Sequence, residues 1–257
     1  MKLLQLIVLF ISVYSSASFR LGSPHLREDV EKFLIRFGYL DEAKSHSISE
    51  TSEGLRKYQK FFGLPVTGHA DQATLEMMQK PRCGVTDARY VIASPGFPNR
   101  DLTFTVSNYS PKMSKEQIDA DVALSFQRWA EASGLTFTRV EGTADLDASF
   151  TPREHGDGYP FDGPYGVLAH AFFPVTSRKG QTHLDEEEDW KHFESAEDSG
   201  IDLFSVTIHE FGHSLGLGHS DVFGAVMYPS YAYNKDKVLH EDDINGINAI
   251  YNSREKP

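Results

Sequence analysis

The sequence is poor in cysteine and poor in positive charge. A single cysteine among 257 residues excludes a disulfide within the chain, so stability must come from a packed core, bound metal ions or both. The 25 lysines and arginines are outnumbered by 37 aspartates and glutamates, which gives a net charge of −12. Nucleic-acid-binding proteins carry a basic patch, so we expect no nucleic-acid partner. An acidic balance is compatible with divalent cations, which carboxylates bind well.

Long apolar runs are missing after the N-terminus. Lys2 precedes an apolar stretch from Leu3 to Val13, and small residues follow at 15–18. This order is typical of a secretory signal peptide, and the run is shorter than the ~20 residues of a membrane span. We predict a signal peptide at 1–18 and a secreted protein without a membrane span, with a buried first helix as the alternative. Asn108-Tyr109-Ser110 is a glycosylation sequon that only a secreted chain could use.

Two unequal parts follow the predicted signal peptide. Apolar residues recur at helical spacing between 23 and 80 and predict three short helices, the third capped by Asp71. A connector with proline and glycine then extends to Arg100, in a setting typical of proteolytic cleavage. From Leu102 onward the order strand, helix, strand indicates a partly parallel sheet with a crossover helix. We interpret the stretch 151–200 as a long functional loop region, followed by helices over about 203–215 and 242–251.

The most specific feature is an eleven-residue string, His209-Glu210-Phe211-Gly212-His213-Ser214-Leu215-Gly216-Leu217-Gly218-His219. His209 and His213 lie one turn apart on one helix face, so both can reach one metal ion. Gly216 permits a positive φ, which lets the chain leave the helix and return His219 as a third ligand. Three imidazoles leave one tetrahedral position open, as in a catalytic zinc site, and Glu210 can reach a water there. The alternative is a helix with three solvated or buried histidines.

The string and a downstream methionine match the metzincin zinc signature with its Met-turn. The methionine is Met227, in the segment Ala225-Val226-Met227-Tyr228-Pro229.

Two more groups of ligand-type residues lie upstream. Three histidines and an aspartate could close a structural zinc site without a water: His155, Asp157, His170 and His183. Three acidic residues, with nearby carbonyls, offer oxygen ligands suited to calcium: Asp162, Asp185 and Glu188. Scattered histidines and a solvated acidic face are equally good interpretations of these spacings.

The lone cysteine belongs to the segment Pro81-Arg82-Cys83-Gly84-Val85-Thr86-Asp87. A Cys83 thiolate in the open position of the catalytic zinc would prevent water activation, and the N-terminal unit would then inhibit the enzyme in cis. A buried structural thiol is the alternative interpretation.

Together these motifs resemble a matrix metalloproteinase (matrixin, metzincin clan) in its latent form. The resemblance extends from the signal peptide to about Tyr251 and rests on an ordered set: PRCGVTD, HGDGYPFDGP, LAHAFFP, THLDEEE, HEFGHSLGLGHS and AVMYP. Within the family, the chain most resembles the minimal, matrilysin-type members, which lack a hemopexin domain. We therefore expect an α+β protein: a small three-helix propeptide domain with a cysteine switch at 19–92, then a catalytic domain at 93–257. The expected catalytic domain has a twisted, mostly parallel five-stranded sheet and three helices.

The resemblance also implies roles for individual residues. Glu210 would be the general base, Cys83 the switch ligand in the latent form, and Arg82 would pair with Asp87. The three histidines of the string would bind catalytic zinc, and the upstream group would bind structural zinc. Calcium would be held by six residues, three of them through carbonyls: Asp162, Gly163, Tyr165, Val167, Asp185 and Glu188. Substrate would pair with the strand at Ala169 and Ala171, and Ser205 and Tyr231 would shape the specificity pocket.

One departure from the family pattern lies in the switch motif. Thr86 stands where the switch motif usually has proline, so we expect a looser loop. The expected function is a zymogen zinc endopeptidase acting on extracellular proteins or peptides, monomeric and open to proteinaceous metalloproteinase inhibitors.

Two other classes of function stay open. One is a catalytically silent zinc-dependent binding module. The other gives the N-terminal helices a carbohydrate- or cell-wall-binding role, because that unit also resembles peptidoglycan-binding domains.

Overall fold

The computed structural model describes residues 25–42, 46–87, 93–195 and 198–252. The predicted signal peptide and the predicted domain boundary at residue 92 lie outside these ranges. Within them, no helix has the length and apolar character needed to cross a bilayer.

The N-terminal part contains the three expected helices: α1 (Leu26–Arg36), α2 (Ile48–Phe61) and α3 (Gln72–Met78). Asp71 caps α3 as predicted, by accepting a hydrogen bond from the Thr74 amide. The fully buried Tyr58 ring lies at the centre of their core. The same apolar cluster includes Phe161 and Tyr228 from the rest of the chain, so the N-terminal unit is packed onto its neighbour.

A six-stranded sheet forms the larger part. Its strands are β1 (Arg82–Cys83), β2 (Asp101–Val106), β3 (Thr136–Arg139), β4 (Leu146–Thr151), β5 (Val167–Ala171) and β6 (Gln181–Asp185), in the order β1-β5-β6-β4-β2-β3. All neighbours are parallel except β5 and β6. The expected five strands are thus β2 to β6, and β1 adds a sixth from the cysteine-containing loop.

Three helices accompany the sheet: α4 (Lys115–Ser133), α5 (Leu203–Ser214) and α6 (Glu241–Tyr251). Helix α4 is the predicted crossover, capped by Ser114 and ended by Gly134 at φ 69°. It packs on α5 through Phe126 and Phe211, whose rings stack 4.0 Å apart. This contact presses the histidine-bearing helix α5 into the core, where all its residues are buried.

The stretch 151–200 is more regular than its composition predicts. It contains β5, β6 and β7 (Trp190–Lys191), which pairs with β8 (Ile201–Asp202). The burial of β5 and β6 is nearly continuous, so neither strand shows the alternation that marks a strand in sequence.

Candidate metal centre and active site

Three imidazoles converge at the C-terminal end of α5. His213 Nε2 lies 3.1 Å from both His209 Nε2 and His219 Nε2. Gly216 has φ 115°, and this left-handed turn brings His219 back to the helix as predicted. The edge of a tetrahedron with zinc–nitrogen bonds of 2.0–2.1 Å is about 3.3–3.4 Å, close to these separations.

Two of the three rings, those of His209 and His213, direct an unprotonated Nε2 toward the centre of the group. His209 Nδ1 donates to the Val226 carbonyl at 2.6 Å, and His213 Nδ1 donates to the Leu217 carbonyl at 2.8 Å. Burial and the neighbouring His219 lower the pKa of His209 to about 3, so its ring is neutral near pH 7. Neutral acceptor nitrogens this close cannot hydrogen-bond one another, and a shared cation is the arrangement that satisfies all of them.

Cys83 completes the group. Its sulfur lies 3.4 Å from His213 Nε2, and the four ligand atoms all lie within 4.8 Å of one another. Cys83 and His213 lie 130 residues apart in the sequence, and the fold brings the expected switch cysteine to the three histidines. A Cys–His₃ set is a closed tetrahedral zinc site with no position for water.

The cysteine loop lies in a groove between β5 and residues 229–231. On one side, the Arg82 and Gly84 amides donate to the Gly166 and Ala169 carbonyls at 3.0 and 2.8 Å. On the other side, the Cys83 amide donates to the Pro229 carbonyl, and the Tyr231 amide donates to Pro81. The loop therefore covers the Ala169 edge that we expect to pair with substrate, while Ala171 lies further along β5.

A buried ion pair holds this loop in shape. Arg82 donates to Asp87 at 2.6 Å, with side-chain exposures of 4% and 0%. Tyr39 also donates to Asp87, at 2.8 Å. His219 Nδ1 lies 2.7 Å from the same carboxylate, outside the alignment of a hydrogen bond, so Asp87 also contacts one ring of the histidine trio.

Thr86 helps to fix the cysteine loop in place through a hydrogen bond. Its hydroxyl donates to the Phe37 carbonyl at 3.0 Å, and the Asp87 amide donates to the same oxygen at 3.0 Å. These bonds anchor the loop to the end of α1, contrary to the looser loop that we expected from the missing proline.

Glu210 is buried beside the cysteine. Its Oε2 has no hydrogen-bond partner, and burial raises its pKa to about 8, an effect opposed by a hydrogen bond with the Cys83 thiol. A carboxyl group in this position faces the place that the sulfur occupies.

The upstream group also converges. Asp157 Oδ2 lies 2.7–2.8 Å from His155 Nε2, His170 Nε2 and His183 Nδ1. Burial lowers the pKa of His170 to about 4, against the opposing effect of Asp157. His155 Nδ1 contacts the Pro152 and Arg153 carbonyls, so its Nε2 is the unprotonated nitrogen and cannot donate to Asp157. This donor set also fits a cation, with zinc preferred for its nitrogen donors.

The acidic group of Asp162, Asp185 and Glu188 has the features of a metal site built from oxygen ligands. Asp185 and Glu188 are fully buried, and each has one carboxylate oxygen without a hydrogen-bond partner. Burial and neighbouring acids raise their pKa values to about 6 and about 8. Asp162 belongs to the adjoining loop, with Gly163 and Tyr165 at φ 93° and 64° and the Asp162 carboxylate accepting from the Val167 amide. Orphaned buried carboxylates fit a hard cation such as calcium.

Comparison with known proteins agrees with this geometry. The Peptidase_M10 (Matrixin) family model matches residues 96–252. The chain belongs to the matrixin family. A second model, "Putative peptidoglycan binding domain", matches residues 25–78.

Several curated relatives share this matrixin domain. The chain is 44% identical to interstitial collagenase from Sus scrofa over 90% of this chain and 50% of that protein. It is 40% identical to neutrophil collagenase from Homo sapiens over 97% and 55%. It is 40% identical to matrilysin from Mus musculus over 90% and 89%. The chain thus spans about half the length of these collagenases.

The matrixin domain contains a supporting residue that motif reading missed. Asp243 accepts hydrogen bonds from the Val226 and Met227 amides at 2.8 and 2.9 Å, and Val226 in turn holds His209. Met227 is 2% exposed, and its sulfur packs where a Cβ on Gly212 would lie. The acid after the Met-turn was visible in sequence, but its partner amides were not.

The remaining candidate residues lie in two places. Ser205 and Tyr231 both lie at the N-terminal end of α5: the Ser205 hydroxyl accepts from the Asn234 amide, and the Tyr231 hydroxyl accepts from the Asp202 amide. Asn108 follows β2, and its side-chain amide both donates to and accepts from the Phe150 backbone. The sequon asparagine therefore extends the pairing of β2 with β4, and its glycosylation stays a prediction.

Proposed function

We propose that this chain is the latent form of a secreted zinc-dependent endopeptidase that hydrolyses peptide bonds of extracellular matrix or other extracellular proteins. The observation that carries the proposal is the convergence of Cys83 with the three histidines of α5. The proposed propeptide is 19–92 and the proposed catalytic domain is 93–257. We further propose one catalytic zinc, one structural zinc at the upstream group and calcium at the acidic group.

Each residue has a distinct part in the proposed reaction. Zinc bound by the three histidines would supply a Lewis acid and lower the pKa of a water toward ~7. Glu210 would accept the proton of that water as it attacks the peptide carbonyl, and would deliver it to the leaving nitrogen. The β5 edge would orient an extended substrate through main-chain hydrogen bonds once the cysteine loop has left.

Latency follows from the same geometry. While Cys83 occupies the fourth position, Glu210 faces sulfur instead of water, and the loop covers the β5 edge. Activation would require both the departure of the sulfur and a cut in the connector near 88–100.

A quenched peptide assay tests the proposal on the zinc- and calcium-loaded chain, before and after treatment with an organomercurial. We expect chelator-sensitive cleavage only after treatment. Glu210→Ala should abolish turnover and keep zinc bound, because no ligand is lost, whereas Glu131→Ala on the α4 surface should change neither. Cys83→Ser should raise cleavage before treatment, because a hydroxyl is a weaker zinc ligand than a thiolate. A silent Cys83→Ser chain would refute the switch.

The glycan-binding alternative has a separate test. The match to a peptidoglycan-binding model gives it support, and it requires that residues 25–78 bind glycan while attached to the chain. A pull-down of the full chain on peptidoglycan should recover none if these helices serve as a propeptide.

A further inference from the structure

One loop of the larger part, residues 160–167, is shared between the acidic group and the N-terminal unit. Toward the acidic group, the Tyr165 amide donates to Glu188 Oε1 at 2.7 Å. Toward the N-terminal unit, Phe161 and Val167 belong to the apolar cluster of the three helices. A change on one face of this loop is therefore felt on the other face.

The last residue of α1, Arg36, reaches this loop from the N-terminal unit. Its Nη2 donates to the Pro160 carbonyl at 3.3 Å, and its Nη1 lies 3.8 Å from Asp162 Oδ2. The side chains of Arg36 and Asp162 are 37% and 27% exposed, and both line a cavity of about 290 Å³ between α1 and the loop. The pair is therefore partly solvated, and its two charges lie within reach of dissolved ions.

Asp162 thus has two uses, because it is also one of the acids that we assign to calcium. A guanidinium and a divalent cation at one carboxylate repel each other, so occupancy by either lowers the affinity for the other. Arg153 also lies beside the loop, but it pairs with Glu187 at 2.6 Å. Arg153 belongs to the same part of the chain as the acids, so its charge stays in place when the N-terminal unit moves.

The end of α1 that bears Arg36 also anchors the cysteine loop. The carbonyl of the next residue, Phe37, accepts from the Thr86 hydroxyl and from the Asp87 amide, both at 3.0 Å. The Arg82 guanidinium lies over the Phe37 ring at 3.5 Å. Opening of the cysteine loop therefore releases the end of α1, and the contact made by Arg36 weakens with it.

We propose that Arg36 couples calcium to latency: its guanidinium competes with calcium for the Asp162 carboxylate, so the closed N-terminal unit lowers the calcium affinity of the acidic group. By linkage, calcium weakens the hold of Arg36 on the loop by the same factor. The inference rests on the proposed function, because that function assigns calcium to the acidic group and a propeptide role to the N-terminal unit.

Calcium titration of the zinc-loaded full chain tests the competition, with a fluorescent chelator as the competing ligand. Arg36→Gln removes the guanidinium charge, and we expect calcium to bind about twofold to fivefold more tightly, the range of a partly exposed ion pair. Arg36→Lys keeps the charge and should retain the wild-type affinity. Arg56→Gln is the matched control and should leave the affinity unchanged, because Arg56 also forms an ion pair of 3.8 Å, but with Glu53 of its own helix α2.

The dependence on salt separates an effect of charge from a change of shape. The gain in affinity of Arg36→Gln over the wild type should shrink at about 1 M salt, where the screening length falls to about 3 Å. The reciprocal effect is measured as the rate at which a maleimide labels Cys83. Saturating calcium should accelerate this labelling about twofold to fivefold more in the wild type than in Arg36→Gln.

Two results would overturn the inference: an unchanged or weaker calcium affinity in Arg36→Gln, or a gain in affinity that persists in full at high salt. A wild-type chain that binds no calcium would overturn it as well, together with the calcium assignment. A chain that shows the expected coupling but cleaves no peptide after organomercurial treatment would instead refute the proposed endopeptidase, and the role of Arg36 at Asp162 would stand.

Discussion

The ion pair between Arg82 and Asp87 makes a quantitative prediction about how firmly the cysteine loop is closed. Both side chains are almost completely buried, and Arg82 also lies over the Phe37 ring at 3.5 Å. Asp87→Asn removes the negative charge and leaves the guanidinium buried without a counter-ion. Removing one partner of a buried pair costs about 3–5 kcal/mol.

The lower end of that range applies here. Asparagine keeps an oxygen that can accept from Tyr39, which bonds to Asp87 in the wild-type chain. The closed loop therefore loses about 3 kcal/mol of stability. At 1.4 kcal/mol per tenfold change in the equilibrium constant, the population of the open loop rises roughly 100-fold. Because Cys83 is 5% exposed, a thiol reagent can reach it only in the open state.

The assay is the rate at which a maleimide labels Cys83 in the zinc-loaded chain. We expect labelling of Asp87→Asn to be roughly 100-fold faster than that of the wild type, at an unchanged circular-dichroism spectrum. Glu28→Gln is the matched control, because Glu28 pairs with Lys32 at 59% exposure on the surface of α1, and its labelling should equal that of the wild type. An acceleration of less than about threefold for Asp87→Asn would refute the reasoning, since a buried pair would then hold the loop no better than a surface pair.

Three further predictions concern the metal sites and the helix that bears them. Burial raises the pKa of Asp185 to about 6 and of Glu188 to about 8. At pH values between the ordinary pKa of each carboxyl group and this raised value, the calcium-free folded chain therefore holds more protons than the unfolded chain. Stability from these groups therefore falls as pH rises, and calcium should raise the midpoint of thermal unfolding more at pH 8 than at pH 6; equal shifts would contradict this. A Cβ on Gly212 would lie 2.3 Å from the Met227 sulfur, so Gly212→Ala should lower the melting temperature by about 2 °C or more through overpacking, and no change would show that the contact can relax. Phe161 stacks on His155 and packs at a tilt against His170, so Phe161→Ala should reduce the zinc content measured by mass spectrometry after mild chelation from two ions to one, whereas retention of both would contradict that role.

Much of the architecture was predictable because its signals are local. The caps of α3 and α4, the turn at Gly134 and the return of the chain at Gly216 depend on residues within a few positions of one another. Family membership was equally accessible, since the zinc-binding string is itself a short helical pattern. Strands β5 and β6 were harder to recognise, because a strand buried on both faces has no alternation to detect.

The sequence by itself determined which atoms could bind metal: two histidines at helical spacing and a third beyond a glycine turn, a lone cysteine and two upstream groups of ligand-type residues. Only the tertiary structure decided that Cys83 meets His213, that Asp87 reaches His219, and that the Ser205 hydroxyl holds the Asn234 amide. These contacts join positions 29 to 132 residues apart, where spacing along the chain carries no information about direction or distance. They exist because the packing of the N-terminal helices, the sheet and α5 places the partners together.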